Sequence, residues 1–387
     1  MEREVFITKI ASYFPNNPVE NDEMEDFLGL IGGKPSRVKN IILRQNGIKR
    51  RYYALNKKHE ITHTNAEMAG LAIKKMLTRE ELRTIEVLSC GTSSPDQYLP
   101  SHASMVHGEA FEHPLEIFSL AGVCMTGIAA LKTSYMSVMS GNSQNAVCSA
   151  SELSSAALLS KSYEKEYEDI ANVSANPIIA FEKDFLRFML SDGAACCLLE
   201  GKPCGGLSLQ IDWIECISYA DRMPVCMYMG GDLDAEGNLV SWKKFSTDEI
   251  QKKSIWALKQ NVKILNGNVM RLFVDAIEYA FGKHDASPGD VKYVIPHISS
   301  MYFYHVLAKE IESRGIDLPT DKWFTNLTTV GNIGSVAIFA ALDELVRTKE
   351  LNEGDKVLLL VPESGRFSYG VVLLTVNKNL KSATYRV

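Results

Sequence analysis

Several patterns are missing from this sequence of 387 residues, and each absence excludes a class of protein. No apolar run approaches the length of a membrane span, so we expect no contact with a membrane. The first residues lack a basic stretch followed by an apolar one, so we expect no signal peptide. The net charge is −6 and no basic stripe is present, which argues against nucleic acid as a partner.

The eight cysteines show no binding pattern either. None has the C-x-x-C spacing of zinc sites, and all lie in apolar stretches, so neither a metal site nor a secreted disulfide scaffold is predicted. A reducing cytoplasm is the simplest setting. We also expect no cofactor.

The order of predicted elements indicates an α/β protein. Buried strands, such as those at 85–92 and 145–152, alternate with helices, which is typical of a parallel sheet covered by helices. The predicted helices include residues 21–30, with Asn21 as the cap, 247–265 and 269–281. The glycine-rich stretch 201–206 is the best boundary, so we divide the chain into residues 1–203 and 204–387. A charged connection at about 155–190 is predicted to be an insertion, either a lid or partner-contact segment or a plain surface loop.

Cys124 lies between a short predicted strand and an apolar helix. Residues 125–139 contain few helix breakers, and Gly141 is placed to end the helix. The sulfur would lie in the first helical turn, where the partial positive charge of the helix N-terminus favours thiolate over thiol. Cys124 is therefore a candidate nucleophile, although free cysteines are also common core residues.

Two segments of the chain share one plan. Each has a glycine turn, an apolar helix, a short loop and a buried strand that ends in glutamate. The spacing from Cys124 to Glu152 is 28 residues, and that from Asn332 to Glu363 is 31. A duplicated unit with a pseudo-two-fold axis would bring Cys124 and Asn332 into one pocket. Chance similarity of two βαβ units is the alternative.

His297 completes a group of three candidate catalytic residues. It follows a predicted strand at 291–296, so Cys124, His297 and Asn332 all lie at strand or helix ends, where α/β proteins bind ligands. A thiol nucleophile, an imidazole and an amide donor together suit chemistry on acyl groups.

Motifs around these residues resemble those of the thiolase superfamily, and within it the β-ketoacyl-acyl-carrier-protein synthase III family. The likeness covers almost the whole chain and includes Gly-Val-Cys124-Met-Thr-Gly, Ile-Pro-His297, Gly-Asn332-Ile-Gly-Ser, Ser-Asp192-Gly-Ala and the turn at 364–370. The resemblance implies a five-layer αβαβα fold of two similar halves. It also implies a homodimer that uses acyl carrier protein or coenzyme A thioesters.

The resemblance implies a role for each matching residue. Cys124 would accept an acyl group, and the N–H groups of Cys124 and Gly365 would form the oxyanion hole. His297 and Asn332 would hydrogen-bond to the carbonyl of a second thioester before a Claisen condensation. Tyr302 stands where the family has a carrier-docking arginine. The predicted substrate- and carrier-binding residues are Arg50, Arg51, Leu99, Lys309, Glu363 and Arg366.

Departures from the family pattern resemble the bacterial ketosynthase-cyclases that make dialkylresorcinol and stilbene precursors. Pro-His297-Ile-Ser-Ser and Pro-Glu363-Ser-Gly-Arg366-Phe are among the matching segments. This resemblance implies that one substrate is a β-ketoacyl thioester and that the product closes to a 1,3-cyclohexanedione. Ring closure needs an extra base, for which Glu152 and Glu363 are candidates; a structural role is the alternative for both. Burial would raise the pKa of Glu152, and Arg366 would narrow the pocket or add a charge to it.

Other functions are still open at this stage. A fatty-acid initiation synthase would instead condense a malonyl thioester with an acyl primer. A silent partner subunit of a heterodimeric synthase is the non-enzymatic alternative, although this chain keeps Cys124, His297 and Asn332. A degradative thiolase is disfavoured because the turn at 363–367 has no second cysteine.

Overall fold

The computed structural model describes residues 3–163 and 184–378. The strands are β1 (Phe6–Tyr13), β2 (Val19–Glu20), β3 (Arg50–Arg51), β4 (Val87–Thr92), β5 (Glu116–Ala121), β6 (Asn145–Glu152), β7 (Gly193–Glu200), β8 (Leu207–Ser218), β9 (Met227–Tyr228), β10 (Gly231–Leu233), β11 (Leu239–Ser241), β12 (Lys259–Gln260), β13 (Val291–Pro296), β14 (Lys356–Glu363) and β15 (Ser368–Lys378). The α-helices are α1 (Met24–Leu28), α2 (Lys39–Asn46), α3 (Asn65–Met76), α4 (Arg79–Leu82), α5 (His102–Ala110), α6 (Thr126–Ser140), α7 (Thr247–Lys252), α8 (Val262–Lys283), α9 (Met301–Ser313), α10 (Leu327–Val330) and α11 (Ala337–Thr348). Most of the predicted insertion lies outside the described residues.

The main sheet repeats one pattern twice. Its strand order is β13-β14-β15-β8-β1-β7-β6-β4-β5. In the first half β4 and β6 are parallel, and β7 and β1 follow antiparallel. In the second half β13 and β14 are parallel, and β15 and β8 follow antiparallel. The halves meet where β1 pairs with β8, so the strand directions support the duplication that the sequence predicts.

Two helices lie at the centre of the layers. The helix α6 packs on β4, β5 and β6, and α11 packs on strands of both halves. The helices α3 and α5 cover the outside of the first half, and α8 with α9 covers β14 and β15. Strands β6 and β14 are buried along almost their whole length because helices cover both faces. Ile128, Leu131, Phe339 and Leu342 are part of the core between the layers. This is the predicted five-layer arrangement.

Some predicted helix boundaries are confirmed and others are wrong. The helix α6 ends at Gly141 in a left-handed C-cap, as predicted. Asn21 does not cap α1, because its side chain bonds to Ile48 and Arg51 instead. A single helix over 247–265 is also wrong: α7 ends at Lys252, and β12 intervenes before α8. None of the described helices is both long and apolar enough to cross a membrane.

Candidate active site

Cys124 lies in the short turn that joins β5 to α6. Its side chain is only 9% exposed, and its neighbours Met125 and Ile128 belong to the central core. The carbonyl of Val123 accepts hydrogen bonds from the N–H and hydroxyl of Thr126, which begins α6. Cys124 therefore lies beside the start of a buried helix, two residues before α6, and not within its first turn as predicted.

His297 follows the last residue of β13. Its N–H donates to the carbonyl of Leu360 in β14 at 2.7 Å, which fixes the backbone beside the sheet. Burial lowers the pKa of His297 to about 4, so the ring is neutral at pH 7. Its Nδ1 is buried and has no hydrogen-bond partner among the described residues. A neutral ring with a proton on Nε2 can donate to a substrate.

Asn332 reaches the first half of the molecule through its backbone. Its N–H donates to Met189, and its carbonyl accepts from the N–H of Ser191. The preceding Gly331 has φ of 76°, and a Cβ there would lie 2.8 Å from the Cβ of Ser191, so only glycine fits. The Oδ1 atom accepts from Gly334, which leaves Nδ2 as the donor available to a ligand.

Cys124, His297 and Asn332 line one cavity. Its volume of about 40 Å³ is little more than the roughly 30 Å³ that one water occupies in the liquid. An acyl chain can enter only if lining side chains move, and unbranched methionines repack readily. The remaining lining residues are Met189, Met227, Gln260, Leu265, Val269, Met270, Ser299, Phe303, Pro362 and Ser364.

The sequence did not predict most of this cavity wall. Met227 and Gln260 come from the short pair β9 and β12, which two-residue strands do not reveal in a sequence. Val269 and Met270 lie on α8, which was wrongly divided between two predicted helices. The methionine content of residues 223–242 was the only available signal.

The predicted thiolate is wrong for the resting protein. Burial raises the pKa of Cys124 well above its usual value, and the negative charges of Glu363 and Glu152 raise it further. The N–H of Cys124 acts in the opposite direction but does not prevail. The sulfur lies beside a helix start, but burial and, after it, the nearby carboxylates outweigh the helix effect that the prediction used.

Glu152 is fully buried at the end of β6 and does not line the cavity. Its carboxylate accepts from the hydroxyls of Ser93, Ser94 and Ser335 at 2.6 to 2.7 Å, and from the N–H groups of Ser93 and Ser335. Burial raises its pKa, as predicted. A carboxylate committed to so many donors is poorly placed to take a proton from substrate, so this geometry favours the structural alternative.

Glu363 occupies the corresponding position at the end of β14. Its Oε2 accepts from the N–H groups of Val123 at 3.1 Å and Met125 at 3.0 Å. Burial raises its pKa, and the two N–H groups oppose that shift. Gly365 follows two residues later in the turn to β15, and a Cβ on it would lie 3.4 Å from Oε1 of Glu363. The carboxylate and the predicted oxyanion-hole glycine therefore lie side by side.

The predicted carrier- and substrate-binding residues differ in their exposure to solvent. Arg50, Leu99 and Lys309 are exposed, so they are available to a partner. Arg51 is fully buried and donates to Asn21 and Phe188, so it cannot meet a carrier protein. Arg366 is exposed and its Nε donates to the carbonyl of Met223. Because Arg366 does not line the cavity, it neither narrows the pocket nor adds a charge to the wall.

The sequence of this chain is similar to those of known proteins. Residues 281–376 match the family described as 3-oxoacyl-[acyl-carrier-protein] synthase III C terminal. A β-ketoacyl-[acyl-carrier-protein] synthase III of Clostridium beijerinckii is 22% identical over 373 residues, which are 95% of this chain and 98% of that protein.

Solved structures resemble the whole chain. AbyA1, a tetronic acid condensing enzyme, has a TM-score of 0.74 and 16% identity, with 96% of this chain and 99% of that one covered. The C143S variant of Xanthomonas campestris OleA, with bound lauric acid and lauroyl-CoA, has a TM-score of 0.71 and 17% identity, with 97% and 100% covered. The chain therefore has the thiolase-like fold of the β-ketoacyl synthase III enzymes, and residues 281–376 match the C-terminal domain model of that family.

Proposed function

We propose that this chain is a condensing enzyme of the β-ketoacyl synthase III type, which joins two acyl thioesters through an acyl-Cys124 intermediate. The observation that carries the proposal is that Cys124, His297 and Asn332 come from the two halves and line one cavity. They supply a nucleophile and two donors to the same small volume, which thiolate chemistry on acyl groups requires.

The first step loads the nucleophile. The Cys124 sulfur attacks the thioester carbonyl, its S–H proton passes to the departing thiol, and the acyl group remains on Cys124. The N–H groups of Cys124 and Gly365 are the proposed donors to the oxyanion. Both residues lie in turns, outside the helix and sheet ladders that occupy most backbone donors.

The second step forms the carbon–carbon bond. Nε2 of His297 and Nδ2 of Asn332 donate to the carbonyl oxygen of the second thioester and stabilise its enolate. The enolate forms when the carbon beside that carbonyl loses a proton to a base or, in a malonyl thioester, loses carbon dioxide. It then attacks the acyl-Cys124 carbonyl, the carbon–sulfur bond breaks, and the Cys124 sulfur leaves as the thiol once it regains a proton. A neutral His297 donates this bond without adding a buried positive charge.

We further propose that one substrate is a β-ketoacyl thioester and that the product cyclises to a 1,3-cyclohexanedione. The matching segments around His297 and Glu363 support this finer assignment. The amide of Gln260 supports it as well. Its Nε2 donates to Ser364, while its Oε1 is buried without a partner among the described residues. A polar group in a methionine-rich wall suits a substrate that carries a second polar oxygen.

A decarboxylating fatty-acid synthase is the second candidate, because the Clostridium beijerinckii relative, named β-ketoacyl-[acyl-carrier-protein] synthase III, matches 95% of this chain. It would consume a malonyl thioester and release carbon dioxide. The two candidates differ in their need for a base. The cyclising enzyme requires a base, whereas decarboxylation generates the enolate without a base. Neither predicted base lines the cavity, but Pro362 and Ser364 on either side of Glu363 do. Glu363 is the better candidate because fewer donors engage it than engage Glu152.

Acyl carrier protein or coenzyme A thioesters are the proposed partners, with Arg50 and Lys309 as exposed cations for an acidic carrier. A homodimer is also proposed. The strand β5 ends the main sheet, and Phe118 and Leu120 on it are only half-buried. An edge strand with apolar side chains is suited to pairing with a second copy. A cytoplasmic setting stays a prediction.

Mass spectrometry tests the proposed function. The protein is incubated with an acyl thioester and either a β-ketoacyl or a malonyl thioester, and the products and the Cys124 peptide are analysed. The cyclase assignment predicts acylated Cys124 and a cyclic dione from the β-ketoacyl substrate. A linear β-ketoacyl product formed only from malonyl thioester would leave the decarboxylating synthase. Undiminished product from the Cys124→Ala variant would overturn both.

A further inference from the structure

We propose that Glu363 controls how readily Cys124 gives up its proton, acting from its position at the start of α6. Glu363 is thus a positioning and charge-setting residue for the nucleophile. This proposal rests on the proposed function only in taking Cys124 as the nucleophile.

The contacts of Glu363 bracket Cys124 in the chain. One carboxylate oxygen, Oε2, accepts from the N–H groups of the residues immediately before and after it, Val123 and Met125. These N–H groups lie at the start of α6, where unpaired donors and the helix dipole create positive potential. A carboxylate at this place satisfies the donors and offsets the potential that would otherwise stabilise a thiolate.

Two carboxylates interact electrostatically with Cys124, and one imidazole lines the same cavity. Glu363 ends β14, Glu152 ends β6, and His297 follows β13. Burial has the largest effect in raising the pKa of Cys124, and the two carboxylates raise it further, Glu363 more strongly than Glu152. His297 is neutral at pH 7 because burial lowers its pKa to about 4, so it does not balance them. The resting nucleophile is therefore a thiol.

A protonated resting state has a chemical use. Thiols react with oxidants and electrophiles much more slowly than thiolates do, so Glu363 protects Cys124 until a thioester is bound. The arrangement also places control of the first half's nucleophile in the second half, since Glu363 is 240 residues from Val123. The active site is thus sensitive to how the two halves fit together.

Alkylation of Cys124 by iodoacetamide, followed by mass spectrometry of its peptide, measures the thiolate fraction at each pH. In the unaltered protein we expect the midpoint of the alkylation-rate curve above pH 8.5, the usual value for a cysteine. Glu363→Gln keeps the length of the side chain and an oxygen for the two N–H groups but removes the charge. We expect its midpoint to fall by at least about one pH unit, which makes alkylation near pH 7 about tenfold faster.

Glu152→Gln is the matched control, because it makes the same change at the equivalent carboxylate, which bonds to Ser335 and not to the neighbours of Cys124. A smaller shift than in Glu363→Gln supports the proposal. An unchanged midpoint in Glu363→Gln, or a midpoint below pH 8.5 in the unaltered protein, overturns it. The second result needs no variant, so the proposal stays testable even if Glu363→Gln does not fold. Because no acyl substrate is used, failure here is distinct from failure of the proposed function.

Discussion

Glu152 and Glu363 end equivalent strands of the two halves, and each holds the start of the other half's central helix. Glu152 ends β6 and accepts from Ser335, just before α11. Glu363 ends β14 and accepts from Val123 and Met125, around the start of α6. The exchange is reciprocal, so two crossed carboxylate contacts link the halves.

The two contacts differ in how completely they satisfy the carboxylate. Three hydroxyls and two N–H groups surround Glu152, which is fully buried, whereas Glu363 has two N–H donors and is half-buried. A fully satisfied buried carboxylate stabilises a fixed geometry. One with fewer donors keeps more of its charge available to act on neighbours. Glu152 thus stabilises the loop that contains Asn332. Glu363, at the equivalent position, instead adds to the raised pKa of Cys124.

Substitution of Cys124, the residue on which Glu363 acts, has the largest expected effect on activity. Cys124→Ala should lower product formation at least about a thousandfold, because no acyl-enzyme can form. Product by liquid chromatography and acyl transfer to the protein by mass spectrometry measure the two losses. Acylation at another of the eight cysteines with activity retained would contradict the assignment.

Glu152→Ala tests the structural half of the comparison. We expect a loss of about 3 kcal/mol in the free energy of unfolding, because two N–H groups and three hydroxyls of Ser93, Ser94 and Ser335 lose their acceptor. Glu363→Ala, the matched change, should cost about 1 kcal/mol, since it frees only two N–H groups near a cavity. Urea denaturation measures both. Equal losses would show that the two carboxylates are equivalent after all.

Asn332→Ala should affect the condensation step and not the acylation of Cys124. Condensation should fall about a hundredfold, because the amide donor to the enolate oxygen is lost. Acylation of Cys124 should continue at nearly the normal rate, since the nucleophile and its turn are unchanged. Single-turnover assays of each step provide the measurement, and an equal loss in both steps would contradict the division of roles.

Acid should weaken the protein through His297. Its pKa falls from 6.5 to about 4 on folding, so the unfolded chain binds the proton more readily. The stability that this neutral histidine provides is present above pH 6.5 and is lost as the pH falls towards 4. Between pH 7 and pH 5 the loss is about 2 kcal/mol. The pKa values of Glu152 and Glu363 are raised on folding, so these groups have the opposite effect on stability in acid. His297→Gln keeps both glutamates and is therefore the control, with the free energy of unfolding measured at pH 7 and pH 5. An identical pH dependence in this variant would contradict the assignment.

Particular residues show what could be predicted. Cys124, His297 and Asn332 were identifiable because each follows a recognisable strand or glycine turn, and their motifs resemble a known family. The repeat of helix, strand and glutamate predicted that the halves would converge, and Cys124 and Asn332 both line the cavity.

Arg51 was misassigned to the surface because a charged run is usually exposed, whereas the buried carbonyl of Phe188 and the side chain of Asn21 accept from this arginine. Arg366 was misassigned to the cavity because a turn's sequence does not give the direction of its side chains.

The sequence by itself predicted the α/β fold and the three residues that line one cavity, Cys124, His297 and Asn332, because these predictions depend on local patterns and short motifs. Only the tertiary structure decided the charge state of Cys124. That state depends first on the burial of the sulfur and then on the charges of Glu363 and Glu152, which end β14 and β6. Electrostatic energies depend on distance through space and on burial, and neither quantity can be read from positions along a chain. A helix start that favours a thiolate in isolation therefore holds a thiol in this protein.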